Sequence, residues 1–365
     1  MDFGLNDDQA MLKTLIERFV ADRYATGARS KYRSTSAGYS AENWDFLAQL
    51  GVLSLPFSEE DGGLGGGVVE IATTMEAIGR GLVTEPVLDG PIIGGGLIAQ
   101  AGTAAQKQYW IGRITSGEAH IALAWAEHGK RFDLGKPAAK LTGNTLHGAK
   151  TLVTGTADAY VVTASDGDET RLVLMSAKAP GVRRREYRLV DGSVACELVI
   201  DDVLVEPMPG GVEALNVVAD RARIAATAEM VGIMGLLFDN TLDYVRQRHQ
   251  FGVAIGSFQA LQHRLADQYA ALEQARSQLY RAMLATENEA PAAIAAAKSY
   301  VSTTAIRLGE ECIQMHGGMG VSDELDIGHG HKRILRLASL FGDSAHELMR
   351  YDRARKGAVC AALIG

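Results

Sequence analysis

The chain has 365 residues, 47% of them hydrophobic and 22% charged, with a formal net charge of -8. Such a length provides for two or three domains, and the acidic balance excludes the basic face that a nucleic-acid binder presents. No stretch approaches the roughly 18 uninterrupted apolar residues of a membrane span, so none is expected. Arg183-Arg184-Arg185 is the densest basic run, Glu186 follows at once, and it reads as a solvated strand end. Cys196, Cys312 and Cys360 are odd in number and lack metal-ligand spacing. They read as small core residues of a reducing compartment. The start, Met1-Asp2-Phe3-Gly4, has neither the basic region nor the apolar stretch of a signal peptide, so a cytoplasmic location is expected.

Residues 6 to about 118 read mostly as helix. Asn6 suits a helix start, because a short polar side chain accepts from the free N–H groups of the first turn. Met11, Leu12, Leu15, Ile16, Phe19 and Val20 then recur at helical spacing. Trp44, Leu47, Ala48 and Leu50 form a second stripe that Gly51 stops, and helix resumes from Val68 towards Gly79. From Ile121 to about Met208 the pattern changes to short runs rich in Val, Thr and Leu. These include Leu152–Thr154, Tyr160–Thr163, Arg171–Met175 and Cys196–Ile200, with Asp166-Gly167 and Asp191-Gly192 as turns between them. This predicts a small antiparallel β domain. Beyond Gly211 the chain reads as long helices over about 212–250, 257–286, 291–315 and 344–355, which normally pack as a bundle. The expected fold is α+β, mostly α, divided into a helical domain (1–118), a β domain (119–211) and a helical bundle (212–365).

Two short elements carry the chemistry. The first runs from Arg246 to Gln259 and contains Arg248, Phe251-Gly252 and Gln259. A guanidinium offers a fixed fork of donors to a diphosphate, Phe251 can stack on an aromatic ring, and Gln259 can read an amide edge. Read alone, Gly252 is equally an ordinary helix end, and Arg248 equally a favourable charge at a helix C-terminus. The second is Gln314-Met315-His316-Gly317-Gly318-Met319-Gly320, whose glycines allow close backbone approach to a ligand or simply tight packing after a helix.

In this order and at this separation the two elements resemble the R-x-x-F-G-x-x-I-x-x-F-Q and Q-x-x-G-G-x-G elements of the acyl-CoA dehydrogenase family. The Leu55–Gly63 loop resembles that family's N-terminal domain. The resemblance implies FAD as cofactor, with Arg248, Phe251, Gln259, Gln314, Gly317, Gly318 and Ser344 on the FAD-binding surface, partly donated across a subunit interface. In the β domain the family's Thr-Glu-Pro-Gly-x-x-Ser-Asp has its counterpart in Ala126–Asp133. Ala126 replaces a flavin-bonding Thr, and Phe132 replaces a Ser beside the acyl-CoA. The family's Trp-Ile-Thr has its counterpart in Leu152-Val153-Thr154, which keeps the hydroxyl expected beside flavin N5.

The family's reaction needs a carboxylate to remove the α proton of an acyl thioester while the β carbon gives a hydride to the flavin. Counting from Gly320 puts the usual glutamate position at Phe341. The second known base position precedes Arg223 and is Ala222. Asp343 is the candidate catalytic residue, although Asp343 or Ser344 equally suits a helix cap, and Ser344 with Glu347 fits a capping box. Glu229, flanked by alanines and Met230, reads as a polar contact between helices, with an unusual buried base as the alternative. Asp220, Arg223 and Gly342, with Phe132, are the candidate substrate-binding residues. His316, His329 and His331 lack the spacing of a metal site, and no metal is expected.

The Gly328–Arg333 run with Leu340-Phe341-Gly342-Asp343 resembles the small subunit of pimeloyl-CoA dehydrogenase type enzymes. That implies an FAD-dependent acyl-CoA dehydrogenase, or a subunit of one. The assembly would be a homo-oligomer, or a heterotetramer with a larger homologous subunit, passing electrons to an electron-transferring flavoprotein. A dicarboxylic, branched or steroid-derived acyl chain is the expected substrate class. Two alternatives stand beside it: a non-catalytic subunit that completes the partner's FAD site, and a different flavin chemistry such as nitroalkane oxidation.

Overall fold

The computed structural model describes residues 4–24, 27–154 and 157–364, with side chains as far as residue 356. In chain order, α1 (Asp7–Arg23), α2 (Ala28–Ser34), α3 (Ala41–Gln49) and α4 (Val68–Arg80) come first. A π-helical segment (Leu88–Gly95) leads into α5 (Gly96–Ala101) and α6 (Ala104–Thr115). The strands are β1 (Ile121–Ala124), β2 (Lys140–Thr142), β3 (Thr145–Thr154), β4 (Ala159–Asp166), β5 (Glu169–Ser176), β6 (Val182–Arg188), β7 (Val194–Leu204) and β8 (Glu206–Gly211). Then come α7 (Val212–Gln247), the hairpin of β9 (His249–Gln250) and β10 (Val253–Ala254), α8 (Gln259–Met283), α9 (Ala290–His316), α10 (Asp326–Ala338) and α11 (Ser344–Ile364). No helix of the described residues is long and apolar enough to cross a membrane.

The chain divides into two compact units, one of Met1–Arg29, Val68–Val83 and Arg223–Gly365, the other of Ser30–Gly67 and Thr84–Ala222. In the first, α1 starts as its sequence dictates. Asn6 accepts from the Gln9 amide at 2.8 Å, and the Gln9 side chain accepts from the Asn6 amide at 3.0 Å. α1 packs on α4, and α9 packs against α8, α10 and α11. The buried side of α9 carries Ile294, Val301, Ala305, Leu308, Cys312 and Met315 at helical spacing. α4 and α7 approach backbone to backbone. A Cβ on Gly79 would lie 2.1 Å from the Glu229 carbonyl oxygen, and one on Gly232 would lie 2.0 Å from that of Glu76.

The second unit holds the sheet, in the order β6-β7-β3-β2-β4-β5-β8 with β1 beside β4. The sheet is mixed, which corrects the antiparallel expectation. β1 and β2 both pair parallel with β4, while β4–β5 and β6–β7 are antiparallel neighbours. Both predicted turns are present, with Gly167 at φ 61° and Gly192 at φ 85°. One face buries Leu146, Val153, Tyr160, Val162, Val173, Met175, Cys196 and Leu198. Cys196 and Cys312 are buried free thiols, and Cys360 lies outside the described side chains.

Candidate active site

The helix ends that flank the two sequence elements meet in the helical unit. The Tyr244 ring, near the end of α7, stacks on His316 at the end of α9, with centroids 4.2 Å apart. Arg264, near the start of α8, bonds Glu311 of α9 through Nε at 2.7 Å. Arg248, Phe251, Gln259, Gln314, Gly317 and Gly318 are all exposed there, Phe251 by 92%. No described carboxylate pairs with Arg248. A Cβ on Gly317 or Gly318 would meet nothing within 4 Å. Phe251-Gly252 does not end the preceding helix, as the sequence suggested. α7 stops at Gln247, and Phe251 and Gly252 form the turn between β9 and β10, with φ of 54° and 83°. Positive φ at both central positions is what a type I′ hairpin turn requires.

In the sheet unit, Ala126 is buried, and its carbonyl accepts from the Thr151 amide at 2.9 Å. Glu127 beside it is buried and accepts from Lys150 Nζ at 2.7 Å and the Ala139 amide at 2.9 Å. Burial pushes the Glu127 carboxyl up, but the Lys150 ammonium and the Ala138 and Ala139 amides outweigh it and hold it below the usual range. Burial likewise brings Lys150 down to about 8, against the opposing pull of Glu127. This pair anchors the segment that continues to Phe132, a half-buried ring under the Arg131 guanidinium at 5.7 Å. Leu152 is exposed at φ 54°, and its amide donates to the Tyr187 hydroxyl at 3.1 Å. Thr154 donates its hydroxyl to Asp89 at 2.8 Å, a partner 65 residues away that no local signal marks.

Phe341, where the sequence count puts the expected base, is fully buried at φ 56°. Its carbonyl accepts from Arg223 at 2.9 Å, and its ring lies 5.8 Å from the same guanidinium. Arg223 is itself buried and bonds Glu347 through Nε at 2.8 Å, and Glu347 also accepts from Arg350 at 2.8 Å. Gly342, at φ 154°, packs directly against the Glu347 carboxylate, which a Cβ would meet at 2.4 Å. Ala222, at the second expected base position, is a buried apolar residue.

The remaining acids hold structural contacts. Asp343 accepts from the His346 amide at 2.8 Å and so caps α11. The capping box expected of Ser344 and Glu347 is not formed, because Glu347 turns to Arg223 and Ser344 bonds Ser299 and Thr303. Asp343 and Ser344 also line a cavity of about 310 Å³ with Ser302, Thr303 and Leu335. Glu229 is bound by Arg333 at 2.6 and 3.1 Å, and Asp220 is half-buried. Among the three histidines, His316 bonds the Cys312 carbonyl and His329 the Asp323 carbonyl.

Sequence reasoning missed Lys298, whose only signal was a lysine on an apolar stripe of α9. It is fully buried and donates to the Ala338 carbonyl at 2.9 Å, the Gly342 carbonyl at 3.3 Å and the Ser302 hydroxyl at 3.3 Å. Burial brings it down to about 7. Lys298 thus ties the Phe341-Gly342 loop to the end of α10.

Residues 6–118 match the family described as acyl-CoA dehydrogenase, N-terminal domain, and residues 210–355 its C-terminal domain. The human mitochondrial short-chain specific acyl-CoA dehydrogenase is 30% identical over 335 residues, covering 83% of this chain and 79% of that one. Among solved structures, the ChsE4–ChsE5 complex from Mycobacterium tuberculosis has a TM-score of 0.89 at 25% identity, covering 97% of this chain and 98% of that one. A variant of the Tcur3481–Tcur3483 steroid ACAD has a TM-score of 0.88 at 25% identity, covering 97% and 99%. With both domain descriptions, a relative at this identity and the fold in agreement, the chain belongs to the acyl-CoA dehydrogenase family.

Proposed function

We propose that this chain is one subunit of an FAD-dependent acyl-CoA dehydrogenase whose larger homologous subunit brings the catalytic carboxylate. The assembly would desaturate an acyl-CoA thioester between its α and β carbons and pass electrons to an electron-transferring flavoprotein. The observation that carries this reading is Phe341. An apolar ring fills the usual glutamate position, and the acids nearest in sequence are held by other groups: Asp343 caps α11 and Glu347 binds two arginines. Both structural neighbours named above are described by two components, and one is described as a steroid ACAD. That description supports the bulky, steroid-derived member of the expected acyl classes.

FAD is the cofactor of this family, and the exposed residues fit it. The Arg248 guanidinium suits a diphosphate, the exposed Phe251 ring suits stacking, and the open Gly317-Gly318 backbone admits a ligand where side chains would block it. Bound FAD supplies the two-electron acceptor for the hydride leaving the β carbon. The chain's own part is to hold that group, exclude water and keep the Phe341-Gly342 loop fixed through Arg223 and Lys298.

The test is to co-express the chain with a longer homologue that carries the glutamate, then measure particle mass and flavin content. A complex with equal numbers of both chains is expected. A stable homo-oligomer of this chain that ignores the homologue would contradict the reading. Loss of flavin reduction in Asp343→Asn would move the base into this chain.

A further inference from the structure

The Thr154 hydroxyl and the Asp89 carboxylate form a contact whose chemistry reaches beyond packing. Asp89 sits in the π-helical segment Leu88–Gly95, a backbone form that recurs at functional sites. That segment lies directly on β1, since a Cβ on Gly94 would come within 2.0 Å of the Ile121 carbonyl oxygen. Asp89 is therefore held in place, half-buried, with Thr154 Oγ1 donating to its Oδ1 at 2.8 Å.

We infer that Asp89 is a positioning residue that fixes which face of the Thr154 hydroxyl meets the flavin. This rests on the flavoprotein reading above. A threonine hydroxyl has one donor and two acceptor sites. Once its proton is donated to a carboxylate, in a charge-assisted bond, only lone pairs remain for a second partner. Oxidised flavin N5 is an acceptor and gains nothing from a lone pair. Reduced flavin carries a proton on N5 and donates to one. The Asp89–Thr154 pair thus favours the reduced state. The bare charge of Asp89 acts the other way, because a carboxylate disfavours adding electrons nearby. A single substitution mixes the two effects, whereas a double-mutant cycle separates them.

The experiment measures the flavin midpoint potential of the holo assembly for the wild type, Asp89→Leu, Thr154→Val and the double variant. The Asp89→Leu shift is expected to be more negative with Thr154 present than with Val there. The expected difference is about tenfold in the reduced-to-oxidised ratio, or about 30 mV for a two-electron couple. Asp89→Asn keeps an acceptor for the hydroxyl without the charge, and its midpoint potential is expected to lie above that of Asp89→Leu. Additive shifts with flavin retained would overturn the inference alone. An assembly that takes up no FAD would overturn the flavoprotein reading and the inference with it.

Discussion

Glu347 fixes the geometry around Phe341. It is fully buried, it accepts from Arg223 and Arg350, and Arg223 in turn holds the Phe341 carbonyl. Removing one partner of a buried ion pair leaves the other charge uncompensated, which costs about 3–5 kcal/mol. Glu347→Gln is therefore expected to lower unfolding stability by about that amount in urea, and an unchanged midpoint would contradict this role. Lys298 makes a pH prediction. Burial brings its folded pKa to about 7, below the ordinary 10.5 of a free lysine. The unfolded chain thus binds more protons between those values, so this group's contribution to stability rises with pH through that window. Wild type is expected to gain on Lys298→Met from about pH 7 upward, and parallel stability curves would refute the assignment. At this scale the sequence was half legible. Counting residues located Phe341, and Asp343 acts as one of the two expected caps. Glu347 as the partner of Arg223 was not legible, because 124 residues separate the pair and only the fold joins them.

Helices were read most surely where local chemistry fixes them. The Asn6–Gln9 capping box and the stripe of α9 need only neighbours within a few residues. The reading departs from the structure in three places. α10 went unread because Gly328 and Gly330 look like helix breakers. Gly330 is there because a Cβ would come within 2.7 Å of Leu237 on α7. The parallel pairing of β1 and β2 with β4 leaves no turn signature, and the β9–β10 hairpin is so short that its glycine passes for a helix end. The close α4–α7 crossing is open to a stability test. Gly79→Ala forces a methyl onto the Glu229 carbonyl, and overpacking of this kind costs about 1–3 kcal/mol. Thermal unfolding should show the loss, and a variant as stable as wild type would mean that the helices separate easily.

The whole molecule carries the family's domains, while Phe341, which counting from Gly320 puts where a glutamate base is expected, is a buried phenylalanine. On the proposed reading, this chain holds the flavin and its partner supplies the base, which separates cofactor binding from turnover. The most direct measurement is anaerobic titration of the purified chain with acyl-CoA esters, steroid-derived thioesters included, followed by visible absorbance. The same titration is then run on its complex with the longer homologue. The isolated chain, yellow or colourless, is expected not to be bleached by any thioester, whereas the complex is. Bleaching of the chain by itself would show a complete active site here and contradict the division of labour.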